Sequence, residues 1–580
     1  MAAIENKPPT KSVTSLYRLS LRVVAKYYYQ YKKSFTYLPE MVHFDLVYQL
    51  YTENKLSELQ TELNDINVVT KLLNVQSSRN LLIKCFQLLV DNDMHAAEVL
   101  CDTYHSICTR AKEDATWDKR LINLGLRLGG FLNDAGWYYE SEQILLDCRE
   151  LCLLGKQNPQ TWCEILDCCH KLIHAQASYC SFTGAAYTHD LALETIDKLN
   201  EVGYLYVNHA ALYAEFSVLY FIRSEYDLAY KWSLQALKEL NPSLPKFIII
   251  NVLRQAAKSC VVKREFKKAG LLIKQAIYLA KEIFDANHPK YSDVLIDYGF
   301  YLLNSDSIGN SVAIYKLAYE IRKGVYGKNN LNIAMAHEDL AYALYVQEYS
   351  SGKFGVARSH ADLAIEIMIK ILPSEHLMLA SAKRVKALIL EEIALDVSPN
   401  SSESDLLTMS EDLHMCALDL SRTAFGERNV QTAKHYGNLG RLYQSMRRFQ
   451  EAEEMHLKAI GIKEELLGCD DYEVGLSIGH LASLYNFHMN RFQDAEALYY
   501  KSIEISLKLF GNSYSGLEYD YRGLLNVYAK LENHTKYVEY MDILAQWKEL
   551  RDRHAENEEP PIEQKCPQPL DDVIQTFFSM

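Results

Sequence analysis

The chain is 580 residues long, too long for one compact core, with 49% hydrophobic and 23% charged residues, as in a folded soluble protein. A formal charge of −14 speaks against a general nucleic-acid binder, whose phosphate contacts need clustered Lys and Arg. Only 13 Pro and 24 Gly interrupt the sequence, and its 13 cysteines form no CxxC, so long helices are expected rather than a disulfide or zinc scaffold.

Residues 1–12 are polar and lack the apolar stretch of a secretory signal, so they are expected to be disordered. No apolar run approaches bilayer-spanning length, and the expected setting is cytoplasmic and nuclear, without membrane insertion. Residues 13–60 open with an amphipathic stretch carrying Leu16, Ser20 and Val24. One reading is a capping helix whose apolar positions meet the next helix. The other rests on a resemblance to the elongin-binding box of cullin-RING substrate receptors, in which a Leu enters an adaptor pocket beside small residues. Leu38, Pro39 and Val42 follow, similar to the box with which such receptors choose cullin-2. Proline at a helix start is also ordinary N-terminal chemistry.

Residues 61–205 are expected to form degenerate helical repeats, among them one around Ala135–Tyr138. From 206 to 550 the repeat is explicit. A large residue is followed at +3 by a small one, at +7 by a larger one and at +10 by a small one, as in Tyr226/Ala229/Ser233/Ala236, Phe266/Ala269/Ile273/Ala276, Phe449/Ala452/His456/Ala459 and Phe492/Ala495/Tyr499/Ser502. That spacing holds one face of a helix, with small residues where a neighbour comes close. A preceding helix carries its own small residue, and Ala256, Tyr298 and Leu340 mark a period of 42 residues. The signature resembles the tetratricopeptide repeat, lengthened as in kinesin light chains. It predicts an all-α solenoid, a right-handed superhelix of helix pairs. The polar segment 396–408 is expected to be an exposed loop, and residues 551–580 an acidic, proline-containing tail.

Gly475, Ser477 and Gly479 match G-x-S-x-G, but a nucleophile elbow needs a strand before the serine, and here the string lies inside a repeat helix. No phosphate loop or zincin motif is present, so no catalytic residue, metal or cofactor is expected.

Strings such as NDAGWYYESE, VLRQAAKSCVVKREFKKA, SAKRVKALILEEIA and NVQTAKHYGNLGRLYQSMR resemble a family of tetratricopeptide receptors that serve a cullin-2 ubiquitin ligase. The resemblance implies elongin B/C and cullin-2 with its RING protein as partners, and C-terminal tails of other proteins as substrates, with an Arg near the free end. It also implies an alternative, a transport scaffold on microtubules that binds cytoplasmic tails such as that of the amyloid precursor protein. In tetratricopeptide solenoids the first helix of each pair lines the concave face, which selects Glu338, Asp339 and Tyr342 in one unit and Lys434, Asn438 and Arg441 in another. The second set is similar to a carboxylate clamp, and Asp297 is placed to reinforce the acidic set. These charges could equally form solvated or mutually paired surface.

Overall fold

The computed structural model describes residues 15–114, 119–204, 207–349, 351–396, 401–556, 562 and 565–580. Every regular element among them is helical. The expected disordered segment 1–12 lies outside the described residues. The chain forms two compact units, one running to Gly155 with Val325–Gly327, the other holding the remaining residues from Lys156.

The first unit contains α1 (Leu16–Lys26), α2 (Tyr28–Tyr31), α3 (Glu40–Thr52), α4 (Leu56–Leu63), α5 (Ile66–Leu72), α6 (Arg79–Val90), α7 (Ala96–Glu113), α8 (Lys119–Ala135) and α9 (Tyr138–Leu154). Leu21 and Ala25 of α1 are buried, as are Phe44, Leu46, Val47 and Leu50 of α3. Glu62, itself buried, accepts from the Tyr28 hydroxyl at 2.5 Å and meets His43 at 2.6 Å, so its charge is not left unpartnered.

The second unit is a run of antiparallel pairs: α10 (Pro159–Ser178) with α11 (Phe182–Glu201), α12 (Ala210–Ile222) with α13 (Tyr226–Lys238), α14 (Lys246–Val262) with α15 (Phe266–Ile283), and α16 (Pro289–Asn304) with α17 (Ile308–Tyr326). Then come α18 (Leu331–Glu348) with α19 (Gly355–Ile371), α20 (Met378–Asp396) with α21 (Ser401–Phe425), α22 (Val430–Ser445) with α23 (Phe449–Leu467), α24 (Tyr472–Phe487) with α25 (Phe492–Phe510), and α26 (Leu517–Lys530) with α27 (His534–Glu556). A last helix, α28, spans Leu570–Ser579.

The small residues of the repeat lie in the contacts between paired helices. Ala229, Ala269, Ala452 and Ala495 are fully buried, and the Ser311 hydroxyl donates to the Gly299 carbonyl at 2.8 Å across one such contact. Asn330, Asn429 and Asp471 cap α18, α22 and α24 by accepting a backbone N–H two residues on. Within pairs the turn uses a residue in the left-handed region, non-glycine at Ser224, Arg264, Asp306, Arg447, Asn490 and Glu532.

These turns and caps also meet one another five helix pairs later. The Asn429 side chain donates to the Arg223 carbonyl at 2.9 Å, Gln431 to Ser224 at 3.1 Å, and Arg264 lies 3.9 Å from Asp471 and over the Tyr472 ring. Asp306 accepts from the Ser515 amide at 2.9 Å and from its hydroxyl at 2.5 Å. Successive superhelical turns of this unit therefore touch along a seam.

Two expectations for irregular segments are corrected. Residues 401–408 of the supposed loop begin α21, where Leu407 is buried against α20 and α22 neighbours; 397–400 lie outside the described residues. The supposed tail is helical to Glu556 and ends in α28, whose Val573 and Phe577 are buried in the core around α15. In both segments, tertiary burial of a few apolar residues outweighs polar local composition.

Candidate ligand-binding cavity

Within the second unit the inner helices enclose a cavity of about 480 Å³. Glu338, Asp339 and Tyr342 from α18 line it, as do Lys434, Asn438 and Arg441 from α22. Six of the seven residues expected to bind a substrate are thereby brought together. Asp297 is not among the lining residues. It is buried and held by Arg254 at 2.6 Å and Lys258 at 3.4 Å, because α14 places two cations opposite it.

The acidic wall has no cation within ion-pair distance among the described residues. Burial first, and then the adjacent Glu338, push the Asp339 carboxyl up to about 7. Burial also raises Glu338, against the opposing pull of the Ser381 hydroxyl and Arg384. At neutral pH Asp339 is therefore poised between protonated and ionised, and a bound cation would ionise it.

The basic wall differs from the expectation. Lys434 bonds to Glu473 at 3.0 Å, and Arg441 is held by Glu391 at 2.8 Å and Glu392 at 3.5 Å. Lys463 also reaches Glu473, at 3.2 Å. Although burial pushes Glu473 up, Lys434, Lys463 and Arg264 together pull it well below the usual carboxylate range. The two expected clamp cations are thus already neutralised. Arg384 of α20 is a lining cation with no ion pair among the described residues, and its guanidinium sits 5.2 Å over the Tyr342 ring. It escaped the sequence-based set because that set came from the units of α18 and α22, and α20 lies between them.

Ser477 also lines the cavity, but its hydroxyl donates to the Glu473 carbonyl one turn back at 3.0 Å, and Lys463 Nζ donates to it at 2.9 Å. It sits inside α24, so the strand-to-helix geometry of a nucleophile elbow is absent there.

In the first unit, α1 presents a second apolar face. Leu16, 80% exposed, runs with Leu19 and Val23 along the side opposite Leu21 and Ala25. Ser20 is exposed and its hydroxyl folds back on the Leu16 carbonyl at 2.9 Å; Val24 is half-buried. Leu38 is half-buried, Pro39 is the exposed N-cap of α3, and Val42 is half-buried one turn on.

Two curated relatives, both named amyloid protein-binding protein 2, from Mus musculus and Rattus norvegicus, are each 49% identical over 582 residues, covering 100% of this chain and 98% of theirs. The chain belongs to the amyloid protein-binding protein 2 family. Tetratricopeptide repeat profiles match residues 403–465 and 474–513, the region of α21–α23 and α24–α25. Among solved structures, the repeats of a candidate kinesin light chain from Podosopora anserina match 38% of this chain and 97% of theirs, at 17% identity and a TM-score of 0.28. The apo form of RapI matches 67% of this chain and 98% of its own, at 14% identity and a TM-score of 0.39. The repeat profiles mark this chain as a tetratricopeptide repeat protein. No helix among the described residues is long and apolar enough to cross a membrane.

Proposed function

We propose that this chain is the substrate-recognition subunit of a cullin-2 RING ubiquitin ligase and takes C-terminal protein tails into the cavity of its second unit. The observation that supports it most is the pairing state of that cavity. Among the described residues, Glu338 and Asp339 face it with no cation at ion-pair distance, and Arg384 faces it with no carboxylate at that distance. A tail with a basic residue near its free carboxylate supplies a close partner to each, the base to α18 and the carboxylate to Arg384 and Asn438. The relatives are named for binding an amyloid protein, which accords with a protein-binding role. No nucleophile of this chain takes part; the receptor positions the tail so that a partner enzyme can transfer ubiquitin.

The docking half of the proposal rests on the outer face of α1. A helix that only capped the fold would not need Leu16, Leu19 and Val23 outward, and an adaptor pocket for Leu16 gives that face a partner. Elongin B/C would take Leu16, Ser20 and Val24, and cullin-2 the Leu38, Pro39 and Val42 turn. The deciding experiment is co-purification of elongins and cullin-2 with the full chain, together with a screen of C-terminal peptides against internal and amidated controls. Capture of microtubules without elongins would favour the transport scaffold instead. Equal binding of free and amidated ends would reject the tail-binding reading.

A further inference from the structure

The second unit's last helix is bound far from where repeat order would put it. Val573 and Phe577, four residues apart on one face of α28, are fully buried in the core that includes Ala269, Leu272, Ile273 and Ala276 of α15. Leu570 and Ile574 pack against the same core, and Lys268 lies 5.4 Å over the Phe577 ring. Just before the helix, Gln568 and Gln275 exchange two hydrogen bonds across 293 residues: the Gln275 side chain donates to the Gln568 carbonyl at 2.7 Å and accepts from its amide at 3.0 Å. Gln275 is itself buried, so these bonds complete a polar group that would otherwise be orphaned.

α28 follows α27, and α27 belongs to the later superhelical turn, whereas α15 belongs to the earlier one. Between them runs the part of the seam where Phe266 at the start of α15 meets Phe510 at the end of α25, and where Asp306 takes Ser515 and Arg551. Phe510, Tyr514 and Ser515 on one side and Asp306 and Ile308 on the other are also walls of the cavity. We infer that α28 is a strap: by gripping α15 it holds the later turn against the earlier one and so controls the opening of the cavity at this seam. Because α28 and α15 belong to one chain, the grip is intramolecular. With the strap released, the seam contacts of Asp306, Phe266 and Arg264 must hold the two turns without the added grip on α15.

The Ser515 amide, which donates directly to Asp306, reports on this seam by hydrogen exchange, and no ligand is needed, so the test stands apart from what the cavity binds. Val573→Ala with Phe577→Ala in the full chain should accelerate exchange at Ser515 by at least about ten-fold, together with α28. Amides in the middle of α23, away from the seam, should keep the parental rate. Gln275→Ala, which removes only the two hydrogen bonds, should shift Ser515 in the same direction by less. If exchange rises in α15 and α28 alone, α28 merely covers its own groove and the strap is rejected. A uniform rise along the whole chain in both variants rejects it equally, since the helix would then be a general stabiliser.

Discussion

Arg551 on α27 donates to the Asp306 carboxylate at 2.6 Å across 245 residues of chain, at a turn where Asp306 already accepts from Ser515. One carboxylate in the left-handed turn between α16 and α17 thus collects donors from the last helix pair and from the loop that leads into it. Asp306→Ala leaves the Arg551 guanidinium and the Ser515 amide without their acceptor. It should cost about 1–3 kcal/mol, the range for breaking charged, partly buried hydrogen bonds. Urea unfolding followed by fluorescence should show the loss, with Asp306→Asn intermediate because an amide oxygen still accepts.

The contacts of paired helices leave no room for larger side chains. Ala269, Ala452 and Ala495 are fully buried, and Leu at any of them should destabilise by about 1–3 kcal/mol through overpacking. A methyl group at Gly523 would lie 2.3 Å from the Tyr499 ring and one at Gly440 2.9 Å from His456, so Gly523→Ala should cost more than a surface glycine substitution. Thermal melts of these variants equal to the parent would show that the helix contacts are not where the structure has them.

Docking should separate from folding. Leu16→Ala with Ser20→Glu changes only exposed side chains, so the melt should stay within about 0.5 kcal/mol of the parent. Elongin capture should nevertheless be lost, because a buried Leu contact is worth roughly 1.5–3 kcal/mol and a charge in a dry interface costs more. Leu38→Ala with Pro39→Ala should weaken cullin-2 recruitment and spare the elongins. Pull-downs with purified partners check both.

Within the cavity, pairing state predicts which cation matters. Arg384→Ala should remove discrimination between a free and an amidated peptide end, whereas Lys434→Ala should change it little, because Glu473 already neutralises Lys434. Asp339→Lys should abolish preference for Arg in the peptide. Asp339 rises to about 7, so affinity for a basic tail should strengthen as pH increases through 7, and it should weaken with added salt. Fluorescence polarisation from pH 6 to 8 at two salt concentrations measures each effect.

Acid should loosen the fold through its buried imidazoles. Burial lowers His435 and His456 to about 3 and His337 to about 4, against an unfolded value of about 6.5. These groups stay neutral in the fold and take up protons in the unfolded chain. Their contribution is complete above about 6.5 and is lost as pH falls from there towards the folded values, at up to about 1.4 kcal/mol per pH unit for each histidine. Asp339 and Asp520, both raised to about 7, act in the opposite sense: their contribution is present at low pH and is lost as pH rises through 7. Burial also raises Glu338, but it lowers His414 and His480 as well, so imidazoles outweigh carboxyls and stability should fall between pH 6 and 4.5. His456→Phe, an aromatic exchange at a position occupied by Tyr315 and Tyr499 in other repeats, should flatten that fall by about one proton. Urea midpoints at three pH values test the slope.

What the sequence by itself determined was whatever depends on neighbours within about one helix pair. Helix starts at Phe266, Phe449 and Phe492, small residues at Ala269 and Ala452, and the inward face bearing Glu338, Asp339, Asn438 and Arg441 all follow from a helical period that a short window reveals. What only the tertiary structure decided depends on chain segments tens or hundreds of residues apart. Lys434 and Arg441 resemble a clamp until Glu473 and Glu391, on adjacent repeats, are seen to hold them, and Arg384 has no local pattern to mark it. The acidic stretch before α28 hides a helix whose burial is set by α15, 293 residues away at the Gln275–Gln568 contact. A solenoid's coil is the sum of small rotations between repeats. Its contacts with itself are therefore encoded in no single repeat, and these contacts enclose the cavity.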